Sequence, residues 1–190
     1  MFDLVQGVPA RCCAACRRGF PRLVAAFYNA GMIQILSLAL QQPAHEAALL
    51  SLLDHYARDP MGGGAPLSAE AMARLPAALR ARSDYFAFLA LAGATPVGLI
   101  NCFEGFSTFA ARPLLNVHDI VVHRDWRGQG ISHRLLAAAE TLARERGCCK
   151  LTLEVLSGNT AAQAAYRRFG FVGYALDPAV GQAVFLQKCF

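Results

Sequence analysis

The most informative stretch of the chain is VVHRDWRGQGIS, residues 121–132. It reads as the end of a strand, a turn that contains Gly128 and Gly130, and the first residues of a helix. Two glycines let a ligand approach the backbone closely, and the N–H groups at a helix N-terminus attract negative charge. The stretch therefore predicts a site for a phosphate group, whereas two glycines in an ordinary turn are the alternative interpretation.

A dinucleotide-binding unit is a second interpretation of the same stretch, with Glu154 at a plausible distance for a ribose contact. Two features oppose it. His133 stands where that motif has its third glycine, and five residues, 123–127, separate the strand from the first glycine, where that motif turns at once. The interpretation predicts binding of NAD.

The flanking sequence alternates strands and helices without an internal repeat. Apolar residues make up 55% of the 190 residues and charged residues only 16%, which excludes a disordered chain and allows one compact domain. The patterns predict strands over residues 33–40, 85–91, 95–102, 114–122, 151–156, 171–175 and 182–188, and helices over residues 44–56, 68–82, 131–146 and 160–169. This order indicates an α/β fold, a mixed sheet with helices on both faces.

A second motif lies beyond the glycine turn, after a strand that includes Glu154. It consists of Asn159, Ala162, Tyr166, Gly170 and Phe171. Together with Arg127, Gly130 and Ser132, it resembles the GNAT superfamily of N-acetyltransferases, whose two motifs are Gln/Arg-x-x-Gly-x-Gly/Ala and Asn-x-x-Ala-x-x-x-Tyr-x-x-x-Gly-Phe. Ser132 departs from the first motif only at its last position. The resemblance covers residues 33–190 and is strongest over residues 114–171.

The resemblance implies a mostly antiparallel sheet that splays open between two parallel strands, where acetyl-CoA inserts. The main chain of Ile120 and Val122 is expected to pair with the pantetheine amides, and an N–H group near Val121 or Val122 to meet the oxyanion. The residues implied for the pyrophosphate are Arg127, Gly128, Gln129, Gly130, Ile131 and Ser132. Asn159 is expected to contact the pantetheine arm, to cap its helix, or both. No metal is needed.

The resemblance also implies catalytic residues for direct transfer of the acetyl group to an amine. Tyr166 is expected to protonate the departing thiolate, the alternative being a core aromatic. The general base stays open between His118 and Glu154, each of which could instead be an ordinary strand residue. Asp119 could orient His118 or face the other side of its strand, and it is a further candidate for binding the substrate.

The acceptor pocket is expected between the loop of residues 59–66 and residues 103–109. Glu104 is a candidate anchor for the amine, with Phe106 as an apolar wall, because aromatic rings beside one carboxylate suit an ammonium group on an apolar skeleton. A solvated acid on a loop is the alternative for Glu104.

These features predict an acetyl-CoA-dependent N-acetyltransferase that acts on the primary amine of a small molecule. A protein or peptide N-terminal or lysine acetyltransferase, and an acyl-CoA-binding module without turnover, stay open as alternatives. The net charge of +5 contains no Lys/Arg run, and the longest apolar run is far below the roughly 20 residues of a membrane helix, so neither a nucleic-acid nor a membrane partner is expected. Homodimers are common among such folds.

The cysteines and residues 1–31 bear on the cellular compartment and on the start of the domain. Seven cysteines form no disulfide framework and favour a reducing cytoplasm, and the Cys13-x-x-Cys16 pair lacks two further ligands for zinc. Cys148 and Cys149 are expected to be packing residues. Residues 1–31 carry four arginines and a single acidic residue, without a sustained period, so we expect an extension, or a start at Met32, before a domain of residues 32–190.

Overall fold

The computed structural model describes residues 32–173 and 185–188. The expected N-terminal extension and the Cys13-x-x-Cys16 pair lie outside the described residues. The strands are β1 (Ile33–Ser37), β2 (Tyr85–Ala92), β3 (Thr95–Ser107), β4 (Arg112–Val122) and β5 (Leu151–Leu153). The α-helices are α1 (Pro43–Ala57), α2 (Ala69–Arg80), α3 (Ile131–Glu145) and α4 (Thr160–Phe169), and a short 3-10 helix spans Arg124–Trp126.

The five strands form one mixed sheet in the order β1-β2-β3-β4-β5. Strands β1 to β4 pair antiparallel with their neighbours, and β4 pairs with β5 in parallel. A parallel neighbour needs a crossover, which α3 provides between β4 and β5. The predicted mixed, mostly antiparallel sheet is confirmed.

Helices cover both faces of this sheet. On one face, α3 buries Ile131, Leu135 and Leu136 against the sheet, and α4 packs beside it through Tyr166 and Phe169. On the other face, α1 and α2 bury Leu49, Leu52, Leu53 and Leu79. We call these the α3 face and the α1 face. The prediction of helices on both faces of the sheet is confirmed.

Local sequence signals explain the boundaries of α4 and the start of α3. The Asn159 side chain accepts a hydrogen bond from the Ala162 N–H at 3.1 Å and caps α4, and Gly170, with φ 110°, ends it. Gly130 precedes α3 with φ 73°. No helix among the described residues is long and apolar enough to cross a membrane.

Several predicted strands differ from the structure. Strand β5 ends at Leu153 instead of residue 156, and β3 continues to Ser107, so Phe103 to Ser107 belong to a strand and not to a loop. Residues 171–173 and 185–188, from the last two predicted strands, are not strands, and the remainder of those segments lies outside the described residues. The prediction of strand for these described residues was wrong.

Candidate active site

The sheet opens between β4 and β5 after three paired positions. Leu115, Asn116 and Val117 pair with Leu151, Thr152 and Leu153, and the pairing ends there while β4 continues to Val122 beside β3. On the β3 side, Asn101 pairs with Asp119 and Cys102 with Val117, so His118 is an extra residue, a β-bulge. The bulge therefore marks the position where β4 leaves β5, as expected for an opening between two parallel strands.

The free edge of β4 presents main-chain groups to this opening. The His123 N–H donates to the Val97 carbonyl of β3 at 2.8 Å. Because main-chain groups alternate sides along a strand, Val121 also points toward β3, whereas Ile120 and Val122 point toward the opening. The Val122 carbonyl accepts a hydrogen bond from Arg127 Nε at 3.2 Å. The N–H groups of Ile120 and Val122 are thus the ones that this edge offers to a ligand.

The glycine turn lies at the end of β4 and leads into α3. Gly128 and Gly130 have φ values of 79° and 73°, and a Cβ added at either would meet no atom within 4 Å. Both glycines are therefore required by backbone conformation and not by packing. The first bond of the helical ladder is from the Arg134 N–H to the Gly130 carbonyl, at 3.2 Å, so the N–H groups of residues 131–133 precede that ladder. This is the geometry of an anion site.

Three side-chain contacts join the segment between β4 and α3 to the C-terminal end of α1 and the residues that follow it. Arg127 Nη2 lies 2.9 Å from Asp59 Oδ2. The rings of His55 and His123 stack with centroids 4.4 Å apart, and His55 Nε2 accepts the Arg124 N–H at 3.3 Å. No local sequence signal predicts these contacts, because they join residues almost 70 positions apart. Arg127 thus reaches both β4 and the segment after α1.

The candidate acid Tyr166 lies on α4. Its ring packs against the α3-face core, 6.0 Å from the Phe171 ring. Burial, and to a lesser degree the negative charge of an ionised Tyr56, raise the pKa of Tyr166 to about 12. Tyr56 belongs to α1 and packs on the α1 face. Tyr166 and Tyr56 therefore lie on opposite faces of the sheet, and no sequence signal pointed to Tyr56.

The two candidate bases continue the two diverging strands. His118 is the bulge residue of β4 and is exposed. Its ring is nearly perpendicular to the Phe103 ring, and the two ring centroids are 5.4 Å apart. Glu154 follows the last residue of β5 and is exposed. Because Val117 and Leu153 are the last paired residues, His118 and Glu154 are the first residues on either side of the opening.

The predicted acceptor residues separate onto the two faces of the sheet. Glu104 is in an ion pair with Arg146, whose guanidinium also lies over the Phe86 ring on the α3 face. The Arg146 guanidinium lowers the pKa of Glu104. Glu104 therefore already has a cationic partner, and its role as the amine anchor stays a prediction. Phe106 is 63% exposed in the β3–β4 hairpin.

Asp119 has different surroundings, on the α1 face. Its Oδ2 accepts a hydrogen bond from Asn101 Nδ2 at 3.0 Å, and Asn101 Oδ1 accepts one from the Tyr85 hydroxyl at 2.8 Å. Neither Asn101 nor Tyr85 was identified from the sequence. A polar residue within the apolar run of β3 was the available signal for Asn101.

A cavity and a cysteine also lie near β5 and α4. An open cavity of about 770 Å³ lies along β5 and α4 and includes Tyr166 in its lining, but no residue of the glycine turn. Burial raises the pKa of the Cys148 thiol, which disfavours the thiolate and agrees with a packing role. The described residues contain no group of three or more His, Cys, Asp or Glu side chains that could hold a metal ion.

Comparisons with known proteins identify the fold. The model of the acetyltransferase (GNAT) family matches residues 49–171. Streptothricin acetyltransferase from Streptomyces lavendulae is 42% identical over 80 residues, which are 42% of this chain and 42% of that protein. The chain thus matches less than half of the length of that relative.

Two solved structures share the architecture at low sequence identity. An aminoglycoside acetyltransferase from an uncultured soil metagenomic sample, in complex with sisomicin, superposes with a TM-score of 0.68 at 18% identity, covering 83% of this chain and 96% of that one. AAC(6')-Iy in complex with a bisubstrate analogue of CoA and acetylneamine gives 0.65 at 16% identity, covering 83% and 99%. These similarities are of fold. The family match, which spans well over half of the chain, shows that this protein belongs to the GNAT family of acetyltransferases.

Proposed function

We propose that this protein transfers the acetyl group of acetyl-CoA directly to the primary amine of a small molecule. The observation that supports the proposal is the opening between β4 and β5, together with the N–H groups that precede the helical ladder of α3, Tyr166 on α4 and Asp119 on β4. The pyrophosphate would be held by the N–H groups of residues 128–132, and the pantetheine amides by the free edge of β4.

The reaction forms one C–N bond and breaks one C–S bond. The amine nitrogen, after losing a proton from its ammonium form, attacks the thioester carbonyl, and the carbonyl oxygen becomes an oxyanion. We assign the Val122 N–H to that oxyanion, in preference to that of Val121, because the Val121 main chain points toward β3. Collapse of the tetrahedral intermediate expels the CoA thiolate, and the nitrogen loses its second proton.

Tyr166 is proposed as the acid that protonates the thiolate. Because the pKa of Tyr166 is raised to about 12, its phenol stays protonated in neutral and mildly alkaline solution. A phenol held within hydrogen-bond reach can give its proton to the thiolate as the C–S bond breaks, and the phenolate then recovers a proton released by the amine. Asn159 caps α4 and thereby helps to fix the helix that carries Tyr166.

His118 is our first choice for the base that accepts the proton of the ammonium group, directly or through water. Both side chains are exposed, but His118 lies at the bulge next to Asp119 and its ring contacts that of Phe103, whereas Glu154 follows the end of the short strand β5. Asp119 would attract the ammonium group on the α1 face. Acceptors of this kind also occur among similar proteins, since their names include streptothricin and aminoglycosides.

The direct test combines binding and turnover. Thermal unfolding with acetyl-CoA and with CoA is expected to show stabilisation, since a ligand at 100 times its Kd adds about 2.7 kcal/mol. Release of the CoA thiol is then followed with streptothricin, sisomicin, neamine and a peptide with a free N-terminal amine, and the acetylated product is identified by mass spectrometry.

The outcomes separate the alternatives. Thiol release with one of the three small amines supports the proposal. Release with the peptide alone favours a protein N-terminal acetyltransferase. Stabilisation by CoA without thiol release from any amine favours an acyl-CoA-binding module, and no stabilisation by either CoA species would remove the proposed cosubstrate.

A further inference from the structure

We propose that Asn101 and Tyr85 are positioning residues that orient the Asp119 carboxylate to receive the ammonium group of the acceptor. The inference rests on the proposed function and extends it to two residues outside the family motifs. Asn101 is 2% exposed, and it is a buried polar residue in an otherwise apolar stretch of β3. A buried amide side chain in such a position requires hydrogen-bond partners.

The Asn101 side chain accepts one hydrogen bond and donates another. The Tyr85 hydroxyl donates to Asn101 Oδ1 at 2.8 Å, and Asn101 Nδ2 donates to Asp119 Oδ2 at 3.0 Å. A carboxylate can only accept, which places the amide nitrogen on its side, and the hydroxyl then completes the network at the amide oxygen. An amide does not relay protons under these conditions, so the network can orient Asp119 but cannot deprotonate the amine.

The bulge explains why Asp119 is available for such a role. His118 is the extra residue between the pairs of Asn101 with Asp119 and Cys102 with Val117, so β4 alternation is interrupted there. Val117 and Ile120 pack on the α3 face, while Val121 packs on the α1 face. Asp119, two residues before Val121, therefore shares the α1 face with Asn101 and Tyr85. Its Oδ2 is held by Asn101, which leaves Oδ1 for an ammonium group.

Aromatic rings beside this carboxylate define the class of acceptor. The Phe103 ring lies 5.4 Å from the Tyr85 ring and 5.4 Å from the His118 ring, so three rings form a row across β2, β3 and β4. The Arg82 guanidinium already lies over the Phe103 ring, 5.2 Å from its centroid, so these rings offer the acceptor an apolar surface near the carboxylate and not a second cation site. The acceptor class we infer is a primary amine whose adjacent carbon atoms lie against these rings.

A double-mutant cycle tests the positioning role. The variants are Asn101→Leu, Asp119→Asn and the double variant, and the measured quantity is the affinity of sisomicin, streptothricin and neamine for the protein–CoA complex by calorimetry. Asn101→Leu is expected to weaken amine binding at least tenfold in the wild-type background and less than twofold in the Asp119→Asn background, because the orientation of a lost carboxylate no longer matters. The Kd of CoA is expected to stay within twofold.

Two further variants separate positioning from stability. Tyr85→Phe removes one hydroxyl and is expected to raise KM for the amine about threefold with kcat unchanged. Asn116→Ala removes the hydrogen bond of 3.1 Å that Asn116 Nδ2 donates to Thr152 Oγ1 between β4 and β5, and it leaves the hydrogen bond to Asp119 in place. It controls for loss of a cross-strand hydrogen bond and is expected to leave amine affinity within twofold.

The result that overturns the proposal is an additive cycle, or an unchanged amine affinity in both Asn101→Leu and Tyr85→Phe. Either outcome, with wild-type thiol release intact, leaves the proposed acetyl transfer standing. If none of the three amines binds to the wild-type CoA complex and none releases thiol, the proposed small-amine function and this inference are both rejected.

Discussion

Arg127 Nη2 lies 2.9 Å from Asp59 Oδ2, and the same guanidinium donates through Nε to the Val122 carbonyl. One side chain therefore connects the turn proposed to bind the pyrophosphate, the end of β4, and the segment that follows α1. Backbone and side-chain hydrogen bonds, from Met61 and Arg127, lower the pKa of Asp59, so its carboxylate is charged in neutral solution. The contact links the proposed cosubstrate site to the segment expected to line the acceptor pocket.

Loss of this ion pair is expected to weaken acetyl-CoA binding moderately. In Asp59→Asn, the Kd should rise about two- to fivefold, because partly exposed ion pairs contribute about 0.2–1 kcal/mol and the guanidinium loses its restraint. Calorimetric titration with acetyl-CoA measures the change. Glu70→Gln is the matched control, since it removes an exposed ion pair with Arg74 on α2 away from the turn. Equal Kd values for both variants would contradict the proposed link.

Gly130→Ala tests the anion site separately from backbone strain. A residue with a side chain pays about 1–2 kcal/mol at a left-handed conformation, and the new methyl group would project into the open space proposed for the pyrophosphate. Gly93→Ala carries a similar strain, with φ 60° and open surroundings, in the β2–β3 turn. Both variants should lose similar stability in urea unfolding. Only Gly130→Ala should weaken acetyl-CoA binding, by at least tenfold; equal affinities would argue against the site.

The turn and the helices were predictable because their signals are local. Gly128 and Gly130 precede an amphipathic helix, and Asn159 and Gly170 bound another, so residue type and spacing were sufficient. The open sheet was expected from the family resemblance, which rests on two motifs at a fixed separation. These local signals explain why the sequence predicted the elements that surround the gap.

The side-chain network on the α1 face was not predictable in the same way. The bulge at His118 depends on the register between β3 and β4, and the pattern of a single strand does not report register. Glu104 was the amine anchor expected from the sequence, yet Arg146 pairs with it from beyond the end of α3. Tertiary contacts between distant residues therefore determine the surroundings of each acidic side chain.

The stability of the α1 end should depend on pH through His55. Burial, followed by the positive charges of His123, Arg124 and Arg127, lowers the pKa of His55, and its Nε2 must be unprotonated to accept the Arg124 N–H. A lowered pKa means that the folded state resists protonation, so this contribution is present above about pH 6.5 and is lost as the pH falls. The Tm should decline from pH 7.5 to pH 5 more steeply in wild type than in His55→Phe. Parallel pH profiles would contradict this assignment.

His118 and Glu154 should differ in their effect on turnover. His118→Gln is expected to lower kcat/KM for the amine at least tenfold without changing the Kd of acetyl-CoA, because His118 lies at the bulge beside Asp119. Glu154→Gln should change it less than threefold, since Glu154 follows the end of the short strand β5. Steady-state kinetics of both variants at several pH values make the comparison. The reverse order of effects would assign the base to Glu154.

Tyr166→Phe is the decisive test of the proposed acid. Loss of the phenol should lower kcat by about 10²-fold or more while the Kd of acetyl-CoA stays within twofold, because the hydroxyl is needed for thiolate protonation and not for binding. Since burial raises the pKa of Tyr166 to about 12, the phenol remains protonated below that value. The wild-type rate should therefore show no decline from Tyr166 ionisation between pH 8 and pH 10. An absorbance titration of tyrosinate in wild type and Tyr166→Phe would locate the ionisation. A variant with unchanged kcat would leave Tyr166 as a packing residue between α4 and the α3-face core.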